Sequence, residues 1–268
     1  MYYKCEKPRL FQPWLLKILY VFKGYTVKAV IVPRSTHKQY STKYPDLQPP
    51  YSYTSSRIAS LEKTISPARL STYQTASGGS KADAVLLYYW NIALGQSLHL
   101  PIQSVEVSLR NTISDSIESL FGQQWYTAIK FQMILTPWAK KTLKEAVKKT
   151  VRNRRNNKPV TAGDVIANLT FGFWRELLKT HYDPHIWRKK LSVAFPNLPP
   201  TKNNQDVYNS VDKIIKLRNR ISHHEPIIKG GLMPLYNSML DTTGWICPDT
   251  RGWVEHHCDF KVVYANRP

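Results

Sequence analysis

Residues 204–226 read NQDVYNSVDKIIKLRNRISHHEP, and their periodicity decides the fold. Val207, Val211, Ile214 and Ile221 recur at helical spacing, the pattern of an amphipathic helix laid on a core. The helix is expected to end at Glu225-Pro226, because proline disfavours the helical region for the residue before it. At about 100° per residue, Arg218 projects onto the apolar face, about 40° from Ile214. A guanidinium stays charged, so burying it requires a partner, a ligand or a facing subunit. His223 lies about 140° round the helix from Arg218, and His224 follows at once. Asn219 and His223 are four apart and share a face. An arginine, a polar neighbour and two histidines at a helix end form a compact charge-handling cluster, and the function is expected there. A core salt bridge with histidines capping a helix C-terminus satisfies the same pattern.

Outward from this helix, the chain from Ile58 onward is helical. Ser66-Pro67 is an N-cap with proline at the first helical position, and Gly78-Gly79 closes that helix. Ser80 with Asp83 opens Ala82–Leu98. Pro101 starts the most regular helix, in which Ile102, Val105, Leu109, Ile113, Ile117 and Leu120 recur until Gly122. Thr136-Pro137 opens a helix with a basic outer face. Thr161 and Asp164 cap Val165–Leu169, the aromatic-rich stretch 171–179 continues as a buried helix, and Asp183-Pro184 caps HIWRKKLSVAF. After Pro226, GWICPDTRGWVEHH reads as a helix–turn segment with two buried tryptophans. No convincing strand alternation occurs after residue 60, so the fold class is all-α, a bundle joined by short connections.

Residues 1–57 differ. Six prolines punctuate short aromatic and basic pieces without sustained periodicity, so a poorly ordered basic, Pro/Tyr-rich extension with one short helix or strand pair is expected, with 58–268 as the helical domain. A start near Leu61 would need a non-ATG codon, since no Met lies between Met1 and Met133. N-terminal sequencing would decide that point.

The net charge of +20 favours a polyanionic partner, nucleic acid before a membrane surface. It is unevenly placed, because residues 1–70 hold 12 Lys/Arg against 3 Asp/Glu. Three cysteines without a CxxC pair fit a cytoplasmic protein better than a disulfide framework. The Trp14–Phe22 stretch is interrupted by Lys17 and lacks a small-residue cleavage site, so no signal peptide and no membrane span are expected. There is no phosphate-binding Gly-rich loop, HExxH or GxSxG, which removes NTPase, zincin and α/β-hydrolase readings. Cys247, His256, His257 and Cys258 are zinc-capable types at a spacing that fits no usual finger, so no metal site is assigned to them.

LRNRISHHEPI resembles the signature of the Abi-like (abortive infection) proteins, a branch of the HEPN superfamily. ISPARLSTYQTASGG, LLYYWNIALGQSLHLPIQSVEVSLRN, VIANLTFGFWRELL and GWICPDTRGWVE fall in the order and spacing of that family's other segments. The resemblance thus covers about residues 65–260 and leaves 1–57 outside. It implies a HEPN-type helical bundle with additional helices, dimeric, with the R-x4-6-H motifs of both subunits meeting in one groove. Its active members are metal-independent endoribonucleases that leave 2′,3′-cyclic phosphate ends and need no cofactor. Carried over, the catalytic residues are Arg218, Asn219 and His223, with His224 fitting the same motif as R-x5-H. The implied role is an abortive-infection or toxin-like effector in phage defence, with RNA as substrate, a homodimer as the working state and an antitoxin or co-encoded protein as a further partner. The alternative is a non-catalytic RNA- or nucleotide-binding module acting through a partner protein. A purely structural helical adaptor is a third reading.

Two further clusters accompany the motif. Glu106 and Arg110 stand at i, i+4, a favourable helix ion pair, with Asn111 beside them; a structural role or one in orienting the Arg218 helix fits both. The stretch 140–158 carries nine Lys/Arg and one acidic residue. There, Lys148, Lys149, Arg152, Arg154 and Arg155 are candidates to track an RNA backbone by phosphate contacts, or a solvated face.

Overall fold

A computed structural model describes residues 21–22, 25–26, 51–153 and 159–268. The chain divides into two compact units, residues 1–50 and 51–268. In the first, Val21–Phe22 (β1) pairs antiparallel with Tyr25–Thr26 (β2). Apart from this strand pair and residues 51–57, the extension, with Cys5, lies outside the described residues. In the second unit all regular structure among the described residues is helical, with twelve α-helices. The all-α expectation holds there.

The first helices follow their caps. Helix α1 (Ser55–Ile65) starts three residues before the boundary expected at 58, with Thr54 Oγ1 accepting from Arg57 N. Helix α2 (Pro67–Ala76) has proline in its first turn, and Ser66 Oγ accepts from Arg69 N. Ser80 caps α3 (Lys81–Ser97) through Asp83 N. Helix α4 (His99–Phe121) begins two residues earlier than Pro101, because fully buried Leu98 serves as both the C-cap of α3 and the N-cap of α4. Gly122 ends α4 at φ +86°, where a Cβ would be strained. On α4 the side chains of Val105, Leu109, Ile113 and Ile117 are fully buried, each contributing about 1.5–3 kcal/mol of transfer free energy.

The middle of the chain is more broken than its pattern suggests. Helix α5 is Ile129–Ile134 and α6 is Pro137–Asn153. Thr161 and Asp164 form a reciprocal capping box, yet α7 covers only Ala162–Ile166. Helix α8 is Phe171–Glu176, shorter than 171–179. Leu169, Phe171, Phe173, Trp174, Leu177 and Leu178 are all buried. One straight helix cannot turn so many consecutive apolar positions to a single face, so the chain bends instead. HIWRKKLSVAF is not one helix either. Asp183–Trp187 is a single π-helical turn and Leu191–Ala194 a 3-10 turn, with Lys190 leaving the helical region between them. Asp183 pairs with Arg188 rather than capping.

Helix α9 (Asn204–Ser222) is held by a capping box between Asn203 and Asp206. It lies against α8 and against α10 (Leu232–Ile246). Arg175 Nη1 donates to Asp212 Oδ1 at 2.6 Å across the α8–α9 seam, and Ser210 Oγ meets Thr242 Oγ1 at 2.7 Å across the α9–α10 seam. Helix α11 (Pro248–His257) and α12 (Phe260–Ala265) close the chain. The two tryptophans expected to be buried there are not. Trp245 is half-buried beneath Lys202, and Trp253 is 53% exposed. Val254 is the residue α11 buries, and one helical step from it turns Trp253 outward.

Candidate functional site

The site is built where the last turn of α9 crosses the α3–α4 junction. Helix α9 does not run to Glu225. It stops at Ser222, with His223 as its C-cap and His224 in the left-handed region at φ +56°. His224 N donates to Ile221 O at 3.0 Å and Glu225 N to Arg220 O at 2.8 Å. This is the paired bonding of a Schellman motif, with histidine at the position glycine usually takes. A charged contact, Arg220 Nε to Glu225 Oε2 at 3.4 Å, stands where the motif commonly has an apolar one. The motif satisfies the orphan carbonyls before Pro226 acts, so the helix ends earlier than the proline requires.

The segment after the helix is pinned from three sides. Arg69 Nη1 on α2 donates to His224 O at 2.8 Å. Arg220 Nη2 donates to Pro226 O. Ile227 N donates to Oδ1 of buried Asn91 on α3 at 2.7 Å. The imidazole of His224 is therefore carried on a fixed turn rather than a free loop.

Two concavities flank this turn. The larger, about 650 Å³, is lined by Tyr88, Asn91 and Gln96 of α3, His99, and His224 with Glu225 among others. The smaller, about 350 Å³, is lined by His99, Gln103, Glu106 and Arg110 of α4 together with Arg218 and Ser222 of α9. Gly95, His99 and Ile221 line both. A Cβ at Gly95 would stand 3.3 Å from Ile221 Cγ2, so the missing side chain lets the end of α9 approach α3.

Arg218 departs from its expected burial. It points in the direction of the apolar stripe, flanked by buried Ile214, Ile215 and Leu217, yet it is exposed. The core that covers the stripe ends one turn earlier, and the guanidinium emerges into the smaller concavity. It has no ion-pair or hydrogen-bond partner among the described residues. The expected Glu106–Arg110 ion pair is also not formed among the described residues. Arg110 instead directs Nε towards Asn111 Oδ1 at 3.4 Å. Two guanidinium groups and one carboxylate thus share a small open space, an excess of positive charge suited to an anion.

The remaining expected residues separate. His224 faces the larger concavity, while His223 and Asn219 are exposed and line neither. Ile221 stands between Arg218 and His224. Lys148, Lys149 and Arg152 lie exposed on α6, which packs on α7 and α8 and contributes to neither concavity. Arg154 and Arg155 lie outside the described residues. Cys247 Sγ accepts from Thr250 N to start α11, and Cys258 Sγ donates to Ser97 O at 3.3 Å. Among the described residues no group of three or more His, Cys, Asp or Glu is placed to hold a metal ion.

Sequence reasoning missed His99, Asn91 and Tyr88. His99, Gln103, Glu106 and Arg110 step by 4, 3 and 4 along α4, a polar stripe beside the apolar one, and that stripe was the available signal. Asn91 sits within an apolar helix with nothing in its spacing to mark it.

A sequence model of the family described as Abi-like protein matches residues 38–229. The match starts inside the stretch 1–57 that the resemblance left out and ends before GWICPDTRGWVE. Comparison with curated proteins and with solved structures returns no match. No helix among the described residues is long and apolar enough to cross a membrane.

Proposed function

The chain belongs to the Abi-like protein family, an abortive-infection-related group, and from that premise we propose that it is a metal-independent endoribonuclease of the HEPN R-x4-H type. The observation that carries the proposal is Arg218, a guanidinium without a partner among the described residues, in a concavity it shares with Arg110, five and six residues before two histidines. Its chemistry suits RNA. An imidazole takes the proton of a ribose 2′-OH, and that oxygen attacks the adjacent phosphorus. The P–O5′ bond breaks, and a protonated imidazole supplies the proton to the leaving 5′-oxygen. The products are a 2′,3′-cyclic phosphate and a 5′-OH. Arginine stabilises the charge that accumulates on the phosphoryl oxygens, by bidentate hydrogen bonding.

The separation of Arg218 from His223 supports a homodimeric site, in which His223 of one subunit faces the Arg218 concavity of the other. His224 and His99 are the imidazoles that one subunit could supply by itself. In the cell such an activity would act as a toxin-like effector, restrained by an antitoxin or co-encoded protein. A second reading, a non-catalytic RNA- or nucleotide-binding module, is favoured by the position of His223 outside both concavities.

The deciding experiment is cleavage of total cellular RNA by the purified protein in EDTA, wild type beside Arg218→Ala, His223→Ala and His224→Ala. Cleavage lost with Arg218 and with one histidine is expected. Well-folded protein that binds RNA without cutting it would establish the binding module instead.

A further inference from the structure

Asn91 is only 8% exposed and lines the larger concavity. The bond from Ile227 N fixes which end of its amide faces the turn, since a backbone N–H needs an acceptor and only Oδ1 can serve. The amide nitrogen, with two N–H donors, is thereby left without a partner among the described residues. That nitrogen is not sealed into the core but opens onto the groove, so a ligand lying there can accept from it. Tyr88, held edge-on against Tyr73 with ring centroids 5.4 Å apart, adds an aromatic wall to the same space. The neighbouring concavity carries Arg218 and Arg110, and His99 belongs to both.

We infer that the two concavities form one nucleotide site, with the phosphate beside Arg218 and Arg110 and the nucleobase in the larger groove against Asn91 and Tyr88. The chemistry matches part by part. Unstacked RNA bases are recognised by aromatic walls and by hydrogen bonds to their edges, and every base carries a carbonyl oxygen or ring nitrogen that accepts from an amide N–H. Guanidinium groups bind the phosphate. Both volumes lie within the range of about 300–1,000 Å³ typical of small-ligand clefts. His99, at the junction, stands where the ribose would pass. The inference deepens the ribonuclease reading and rests on it for the expectation that the nucleotide belongs to RNA.

The test is calorimetric titration of the full chain with the four nucleoside 3′-monophosphates and, separately, with inorganic phosphate. At least one nucleotide is expected to bind tenfold or more tightly than phosphate. Asn91→Asp keeps the acceptor for Ile227 N, removes the donor and adds a negative charge that acts on nucleotide and phosphate alike, so it should weaken the nucleotide more than the phosphate and abolish that advantage. Tyr88→Leu, which keeps an apolar side chain against Tyr73, should weaken the nucleotide several-fold by an independent route. Arg218→Ala should weaken nucleotide and phosphate alike. Nucleotides binding no better than phosphate would overturn the inference, as would both groove variants binding like the wild type. RNA cleavage is scored separately in the same proteins. Cleavage that depends on Arg218 but is indifferent to Asn91 and Tyr88 would sink the base site and leave the ribonuclease standing. Nucleotide binding without any cleavage would do the reverse.

Discussion

His224→Gly should make the protein more stable and less active at once. His224 occupies the left-handed region at φ +56°, where a Cβ costs about 1–2 kcal/mol. Glycine removes that cost but enlarges the conformational freedom of the unfolded chain, which takes back about 0.4–1 kcal/mol. The balance is a gain of roughly 0.5–1 kcal/mol, since the backbone bonds of the Schellman turn, and that from Arg69 to the His224 carbonyl, survive the change. For a domain of this size that raises Tm by about 1–4 °C. His224→Ala keeps the Cβ and therefore the strain, so its Tm should stay close to that of the wild type. Scanning calorimetry of the three proteins at one pH, run beside the RNA-cleavage assay, measures both effects. A strained residue kept at a site where a better one is available points to a use for its side chain. If His224→Gly lowers Tm, the strain argument is wrong. If it raises Tm while leaving cleavage intact, the imidazole is not what the strain is kept for.

Other expectations concern the seams and the basic helix. Burial pushes the Asp212 carboxyl up, but hydrogen bonds from Lys216 and Arg175 outweigh it and hold it below its ordinary value. Because the folded value is the lower one, this stabilisation is fully present above the unfolded carboxylate range, about pH 3.9, and is lost as pH falls through the folded value. Asp212→Asn should therefore flatten the acid limb of a Tm-against-pH curve, and an unchanged limb would refute the assignment. Glu176 is buried at the end of α8, accepting from Thr136 Oγ1 at 3.1 Å and pairing with Lys179 Nζ at 2.7 Å. Glu176→Ala should lower the denaturation free energy by about 1–3 kcal/mol, read from urea midpoints, with Glu176→Gln recovering part of it through Thr136. If the exposed face of α6 tracks RNA, Lys148→Ala with Lys149→Ala should reduce the slope of log affinity against log salt by about 1.4 for a single strand. An unchanged slope would make that face a solvated surface only.

Local pattern was enough to read the helices around the site. Ser66, Ser80, Thr161 and Gly122 mark helix ends through bonds to their own neighbours, so their roles are written within four residues. The apolar steps of α4 and α9 reflect burial on one face, which a period of 3.6 reports directly. Pattern failed where several faces are buried at once, as in 169–178, because packing on more than one side overrides a one-sided helix. It also failed at Trp253, where which face of α11 meets the core depends on α10 and α4 rather than on the residue's own hydrophobicity.

The candidate site divides along the same line. The types and order of Arg218, Asn219, His223 and His224 were legible, and so was their place at a helix end. Tertiary structure alone decided that Arg218 emerges where the cover of the stripe runs out, and that His224 rather than His223 faces a groove. It alone brought His99 and Asn91 to the same place. Sequence determines the direction in which a side chain leaves its helix, because that follows from dihedral periodicity. Exposure, partners and shared cavities depend on what the rest of the chain lays against that helix, and here α3 and α4 supply the other wall from about a hundred residues away.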